Sequence, residues 1–189
     1  GAGRVAKSLL FLSCGTGVGY GMVLDGRLYE GMAGSAGEVA RSRVASGSGQ
    51  PLRTRVELNA LLERIRTHAP AQTRQLAEHK SGRIDFPTVV WLWEQEDAFV
   101  RECVQNIAVI LGETTAFALS LLNCELVVFG GDFLVFEDQI LPIMNEVVRR
   151  EAFDPVRIEP SVLRQDAAIQ GLLSLSTNTM LDRIATLRP

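Results

Sequence analysis

Three short segments of this chain carry residue types that could hold a ligand. The first is Gly15-Thr16-Gly17-Val18-Gly19-Tyr20-Gly21, with glycines at alternate positions. Without Cβ atoms, the backbone amides of such a loop can approach an anion closely. The Thr16 hydroxyl adds a donor, and together they suit a phosphate or a sugar oxygen. The same glycines also make a tight turn between strands, and the spacing leaves both readings open. It is neither a dinucleotide nor a P-loop fingerprint, because the glycines do not open a helix and no Lys-Ser/Thr pair follows. The second segment, Gly34-Ser35-Ala36-Gly37-Glu38, sets a carboxylate just past a small-residue loop, where it can accept hydrogen bonds from sugar hydroxyls. Read alone, Glu38 serves equally as a solvated or helix-capping residue, and so does Glu57. The third, Phe129-Gly130-Gly131-Asp132, reads as a strand end opening either into a ligand crevice or into a plain glycine turn.

The elements that must position these residues are legible from periodicity. Ser8–Ser13, Met22–Leu24 and Arg27–Tyr29 read as three consecutive strands. The last two are joined by Asp25-Gly26, a pair that tolerates the positive φ of a type I′ hairpin turn. Gly31–Ser48 reads as a loop with a helical turn near Gly37–Ala40, and Ser46–Pro51 as its most flexible stretch. Helices are expected over Arg53–Thr67, over Ala71–Glu78, and over Ile84–Trp93 with Pro87 in its first turn. Asp97–Leu122 is the longest, with a broad apolar stripe that predicts burial. A buried strand at Glu125–Phe129 follows, then a helix over Gln139–Arg150, a strand over Val156–Ile158 and a closing helix over Asp166–Ile184. An antiparallel start followed by alternating helices and strands indicates α/β or mixed architecture.

Composition narrows the function classes. The 189 residues suit one large domain, and 47% hydrophobic with 22% charged residues excludes disorder as the main state. A net charge of −3 excludes an overall basic nucleic-acid binder. The basic run Arg41, Arg43, Arg53, Arg55, Arg64 and Arg66 could touch DNA phosphate or an anionic ligand, but such runs are usually a solvated face, and it is read as one. Only three Cys and two His are present, with no C-x-x-C pair, which argues against a disulfide scaffold or a Cys/His metal site and fits a reducing cytoplasm. His68 and His79 lie in polar surroundings and read as surface residues. No run reaches the roughly 18–20 uninterrupted apolar residues of a membrane span. The opening Gly1-Ala2-Gly3-Arg4 has no initiating Met and runs almost at once into a strand, so it reads as an internal boundary of a longer protein.

Taken together the motifs resemble the ROK family of bacterial sugar kinases and sugar-responsive transcription regulators. The resemblance rests on Leu12-Ser13-Cys14-Gly15-Thr16-Gly17-Val18-Gly19-Tyr20-Gly21, on Leu24–Gly31, on Ser35-Ala36-Gly37-Glu38 and on Val127-Val128-Phe129-Gly130-Gly131. Ile158-Glu159-Pro160-Ser161 and Asp166–Gly171 look like the family's closing strand and helix. It implies an actin-like, ribonuclease-H-like α/β fold, with residues 1–189 forming the larger, C-terminal lobe. Gly15, Thr16 and Gly17 would match the second phosphate loop, Gly130 and Gly131 the nucleotide-side turn, and Glu38 and Glu57 two sugar-binding carboxylates. The family's first phosphate loop and catalytic Asp lie upstream of the matched segment. This chain alone is therefore expected to have no catalytic residue and not to phosphorylate a sugar.

The departures from the family pattern shape the expected function. Where members carry a Gly-His pair after the Glu, this chain reads Ala40-Arg41, and the three family Cys positions fall near Ser48, Gln50 and Arg55. None of these supplies a thiolate or imidazole, so no metal and no zinc is expected. Arg41 joins Glu38 and Glu57 as a sugar-side residue, and disfavours ordinary neutral-hexose recognition. These changes and the Pro160-Ser161 ending favour the effector-sensing and oligomerisation domain of a carbohydrate regulator. Its ligand would be a sugar or sugar derivative, its DNA contact a winged helix outside this chain, its assembly a homodimer or homotetramer, and its location the cytoplasm. The alternatives are the larger lobe of an ATP- and Mg-dependent sugar kinase, and a non-catalytic interaction protein.

Overall fold

The computed structural model describes residues 6–43, 49–167, 169–171 and 173. Its centre is a five-stranded sheet of order β3-β2-β1-β4-β5. β1 (Leu9–Cys14), β2 (Val18–Leu24) and β3 (Arg27–Leu28) form the antiparallel part, whereas β4 (Leu126–Gly130) and β5 (Arg157–Pro160) add in parallel beyond β1. Strand alternation decides which side chains face the core: Leu10, Leu12 and Cys14 of β1 and Val18, Tyr20 and Met22 of β2 are buried. β4 is buried along almost its whole length, as expected of a parallel strand covered on both faces. The hairpin forms where Asp25-Gly26 placed it, with φ of 50° and 75° at the two residues.

Helices surround the sheet: α1 (Arg53–Val56), α2 (Leu58–His68), α3 (Ala71–Ser81), α4 (Phe86–Glu94), α5 (Ala98–Leu122) and α6 (Glu137–Glu151), with further helical residues at 167, 169–171 and 173. The ends follow local chemistry. Asp85 and Asp97 cap α4 and α5 by accepting from the amides of Thr88 and Val100, each at 3.0 Å. Gly82 and Asn123 end α3 and α5 in the left-handed conformation. α5 is long and apolar enough to cross a membrane by length and composition. Its stripe, including Val100, Val104, Ile107 and Leu111, is instead core packed beneath α6. The crossing is close because Gly112 has no side chain, and a Cβ there would lie 2.8 Å from the Val147 Cβ.

The structure corrects the sequence reading at several points. β2 begins at Val18, so Val18–Gly21 is strand rather than connecting loop, and β3 ends at Leu28. The single helix expected over Arg53–Thr67 is two, broken at Glu57, whose ψ of 159° is extended. The break follows from a tertiary bond: the Leu58 amide donates to the Gly15 carbonyl at 2.7 Å and leaves the helical ladder. Gly37–Ala40 is not helical, because Gly37 sits at φ 86° and its carbonyl accepts from the Tyr20 amide at 2.9 Å. α6 starts at Glu137, and β5 spans Arg157–Pro160. A 3-10 turn over Asp132–Phe136 had no counterpart in the sequence reading. The expected closing helix lies mostly outside the described residues, as do Ser48 and Gly1–Arg4.

Candidate functional site

The carboxyl ends of β1 and β4 pair in parallel, with Ser13 opposite Gly130, and a cleft of about 380 Å³ opens just beyond them. Ser13, Gly15, Thr16, Gly17, Gly19, Gly131 and Asp132 line it, and among the described residues none of the lining side chains is cationic. The glycines are required by close approach. A Cβ on Gly131, which sits at φ 90°, would lie 2.4 Å from the Cys14 carbonyl oxygen, and one on Gly130 would lie 2.6 Å from the Phe11 ring. The Gly15 amide donates to the Gly17 carbonyl at 3.0 Å, which closes the turn. The Thr16 amide donates to Asp132 Oδ2, also at 3.0 Å. The structure thus brings the predicted Gly15, Thr16 and Gly17 together with Gly131, and places Gly130 beneath them in the sheet.

Asp132 closes the Phe129-Gly130-Gly131-Asp132 segment singled out in the sequence, where it was given no contact of its own. Its carboxylate occupies the space a Gly15 side chain would need, with Oδ2 2.3 Å from that Cβ position. The turn that carries it is anchored by fully buried Phe133 and Phe136, whose ring centroids are 5.6 Å apart. Phe86 of α4 packs on both, and Trp93 meets Phe136 edge-on at 5.2 Å. The outer face of Trp93 is covered by the Arg101 guanidinium at 4.5 Å. The apolar run Phe133–Phe136 after Gly-Gly was the available sequence signal that this turn is tied to the core.

The sugar-side residues surround the same region without forming one contact set. Glu57, half-buried at the break between α1 and α2, follows Val56, whose carbonyl accepts from the Cys14 thiol at 3.4 Å. Burial pushes the Cys14 thiol well above its ordinary range, and the negative charges of Glu57 and Asp132 add to the rise, so it is a neutral core residue and not a nucleophile. Glu38 is exposed on the loop that Gly37 fastens to β2. Arg41 is exposed between Ala40 and Ser42, whose carbonyls accept from the amides of Arg53 (2.9 Å) and Leu52 (2.8 Å). No hydrogen bond or ion pair joins Glu38, Arg41 and Glu57 among the described residues. A larger groove of about 900 Å³ runs between α1, α2 and α5 and shares only Glu57 with the predicted set. Its mixed Arg and Glu walls do not converge on one charge.

Other expectations can be placed directly. His68 and His79 are exposed, and the basic run is exposed apart from half-buried Arg55. All three cysteines are free and buried. Among the described residues no three His, Cys, Asp or Glu side chains gather as a metal would need.

A profile described as the ROK family matches residues 1–179. The chain belongs to the ROK family. It is 29% identical over 187 residues to a glucokinase of Halalkalibacterium halodurans, covering 90% of this chain and 56% of the relative. It is 24% identical over 192 residues to a xylose repressor of Caldicellulosiruptor bescii, covering 95% of this chain and 48% of the relative. Among solved structures, a ROK family glucokinase from Streptomyces griseus in complex with glucose and AMPPNP superposes with a TM-score of 0.75 at 20% identity, over 88% of this chain and 59% of that one. The fold is the actin-like ATPase fold of the ROK sugar kinases, as the motifs implied. The chain spans about half the length of the curated relatives it matches.

Proposed function

We propose that this chain is the larger, C-terminal, effector-sensing lobe of a ROK regulator of carbohydrate metabolism in the cytoplasm. The observation that carries this reading is the cleft above β1 and β4. Its Thr16 amide is already given to the Asp132 carboxylate, and among the described residues none of the lining side chains is cationic. A kinase of this fold needs that cleft for a polyphosphate, whereas a sensor does not. The ligand is a sugar or sugar derivative recognised by Glu38, Arg41 and Glu57, with Arg41 favouring an acidic or phosphorylated sugar. Neither a metal nor a nucleotide takes part. Ligand would bias the geometry of a homodimer or homotetramer whose DNA-binding segment lies outside residues 1–189, since only differential affinity for two states moves a switch.

The second reading, the larger lobe of a sugar kinase, is favoured by the way Gly15–Gly17 faces Gly131 across the cleft and by the glucokinase relatives. One experiment on the full-length protein separates them. Calorimetric titration with neutral, amino and phosphorylated sugars is paired with an operator-release assay and a coupled ATP-turnover assay. Sugar-dependent release of DNA with no turnover supports the regulator, and ATP-dependent phosphorylation of any of these sugars overturns it. Glu38→Gln and Glu57→Gln should each weaken the sugar about tenfold or more, the usual scale for one charge-assisted hydrogen bond.

A further inference from the structure

We propose that the Asp132 carboxylate is the built-in occupant of the glycine-loop cleft, and that this one side chain excludes nucleotide phosphates from it. The proposal rests on the regulator reading only in taking the cleft to hold no nucleotide, and it adds which residue is responsible. A phosphate loop binds by presenting unpaired backbone amides to an anion. Here the Thr16 amide is donated to Asp132 Oδ2 at 3.0 Å, and the Gly15 amide is turned inward onto the Gly17 carbonyl at 3.0 Å. The carboxylate rests directly on the Gly15 backbone, where no side chain could share the space. The charge facing an incoming phosphate is therefore negative, and no Lys, Arg or His among the lining residues offsets it.

Asp132 is also held in place. Gly131 before it is tucked against the Cys14 backbone, which seats the turn directly on the end of β1. Phe133 and Phe136 after it are buried and packed on Phe86 and Trp93 of α4, so the turn cannot swing outward without opening that cluster. A loop with all the glycines of a phosphate cradle is thereby filled by the protein itself. An alternative is that Asp132 only braces the β1 and β4 loops. Its loss would then cost stability and open nothing.

The test is calorimetric titration of the full-length protein with ATP, with Mg²⁺ and again with EDTA, for the wild type, Asp132→Gly and Asp132→Asn. The wild type should show no binding up to millimolar ATP. Asp132→Gly, which removes both charge and plug, should bind at least about tenfold more tightly than that limit. Asp132→Asn, which keeps an acceptor for Thr16 but loses the charge, should fall between them, and its near-identical shape keeps the test valid if the glycine variant fails to fold. Three results would overturn the proposal. One is wild-type binding as tight as that of the variants, and another is no gain in either variant. The third is wild-type binding that needs Mg²⁺ and is lost in Asp132→Asn, which would make the carboxylate a metal-bridging ligand. The operator-release and ATP-turnover assays on the wild type decide the regulator reading separately: sugar-dependent release of DNA without turnover supports it even where the Asp132 variants gain no ATP binding, and that outcome overturns only the role given to Asp132.

Discussion

Replacing Tyr20 by Phe probes the link between the core and the loop that carries Glu38. The Tyr20 hydroxyl lies 2.9 Å from the Thr115 hydroxyl, with Tyr20 only 6% exposed and Thr115 fully buried. The same residue's backbone amide holds the Gly37 carbonyl. A neutral hydrogen bond of this kind contributes about 1 kcal/mol net. In Tyr20→Phe the remaining Thr115 hydroxyl can turn to a carbonyl one helical turn earlier, so the loss should stay near 1 kcal/mol. Thr115→Val is the harsher change, because it strands a buried phenol, at a cost of about 1–3 kcal/mol. The double variant buries two apolar groups of nearly the original shape, and should be less destabilised than the sum of the singles by about 1 kcal/mol. Each kcal/mol corresponds to roughly 2–4 °C in Tm for a chain of this size. Urea unfolding with matched calorimetry measures all four proteins. Strict additivity of the two single changes would refute the hydrogen bond as a coupled contact.

Two further outcomes follow from packing and burial. Gly112→Ala places a Cβ 2.8 Å from Val147 at the crossing of α5 and α6; overpacking of about 1–3 kcal/mol outweighs the ~1 kcal/mol gained in helix propensity, so Tm falls, and adding Val147→Ala should restore part of it. Burial raises Cys14 and Tyr20 above their ordinary values, so at high pH the unfolded chain releases protons that the folded one retains; these two groups cost no stability below about pH 8.5, and above it each lowers stability by up to ~1.4 kcal/mol per pH unit. Urea midpoints from pH 8 to 11 should therefore fall less steeply in Cys14→Ser from about pH 9 and in Tyr20→Phe from about pH 10.

What could be read in advance divides along local and tertiary lines. Asp25-Gly26 and the stripe of α5 were legible because turn chemistry and helical period act within a few residues. The break at Glu57 was not, since the Arg53–Thr67 pattern is helical throughout and the interruption comes from the Gly15 carbonyl, far off in the chain. The glycine loops were singled out one at a time, and it is the structure that brings Gly15–Gly17 and Gly131 to one cleft. The direction of Asp132 was not readable, because it depends on the parallel pairing that sets Ser13 against Gly130. The 3-10 turn after it was hidden for a related reason. Phe133, Leu134 and Phe136 are an apolar run without a clean period, and the aromatic partners of Phe133 and Phe136 on α4 are tertiary contacts.

That division bears on the proposed function, because this lobe shares its fold with a ROK glucokinase while the Asp132 side chain, which the fold alone does not dictate, sets the charge in the cleft between β1 and β4. Two unit charges 4 Å apart near a protein surface repel by about 4 kcal/mol at an effective dielectric of 20, which is roughly a thousandfold in affinity. An amide already donated to a carboxylate removes a further charge-assisted bond from any incoming phosphate. Together these effects are comparable with the whole free energy of a millimolar complex, about 4 kcal/mol. Preserved glycine geometry therefore does not imply a preserved nucleotide site. On the proposed reading, the charge at residue 132 is the feature of this lobe that most disfavours a nucleotide phosphate in the cleft.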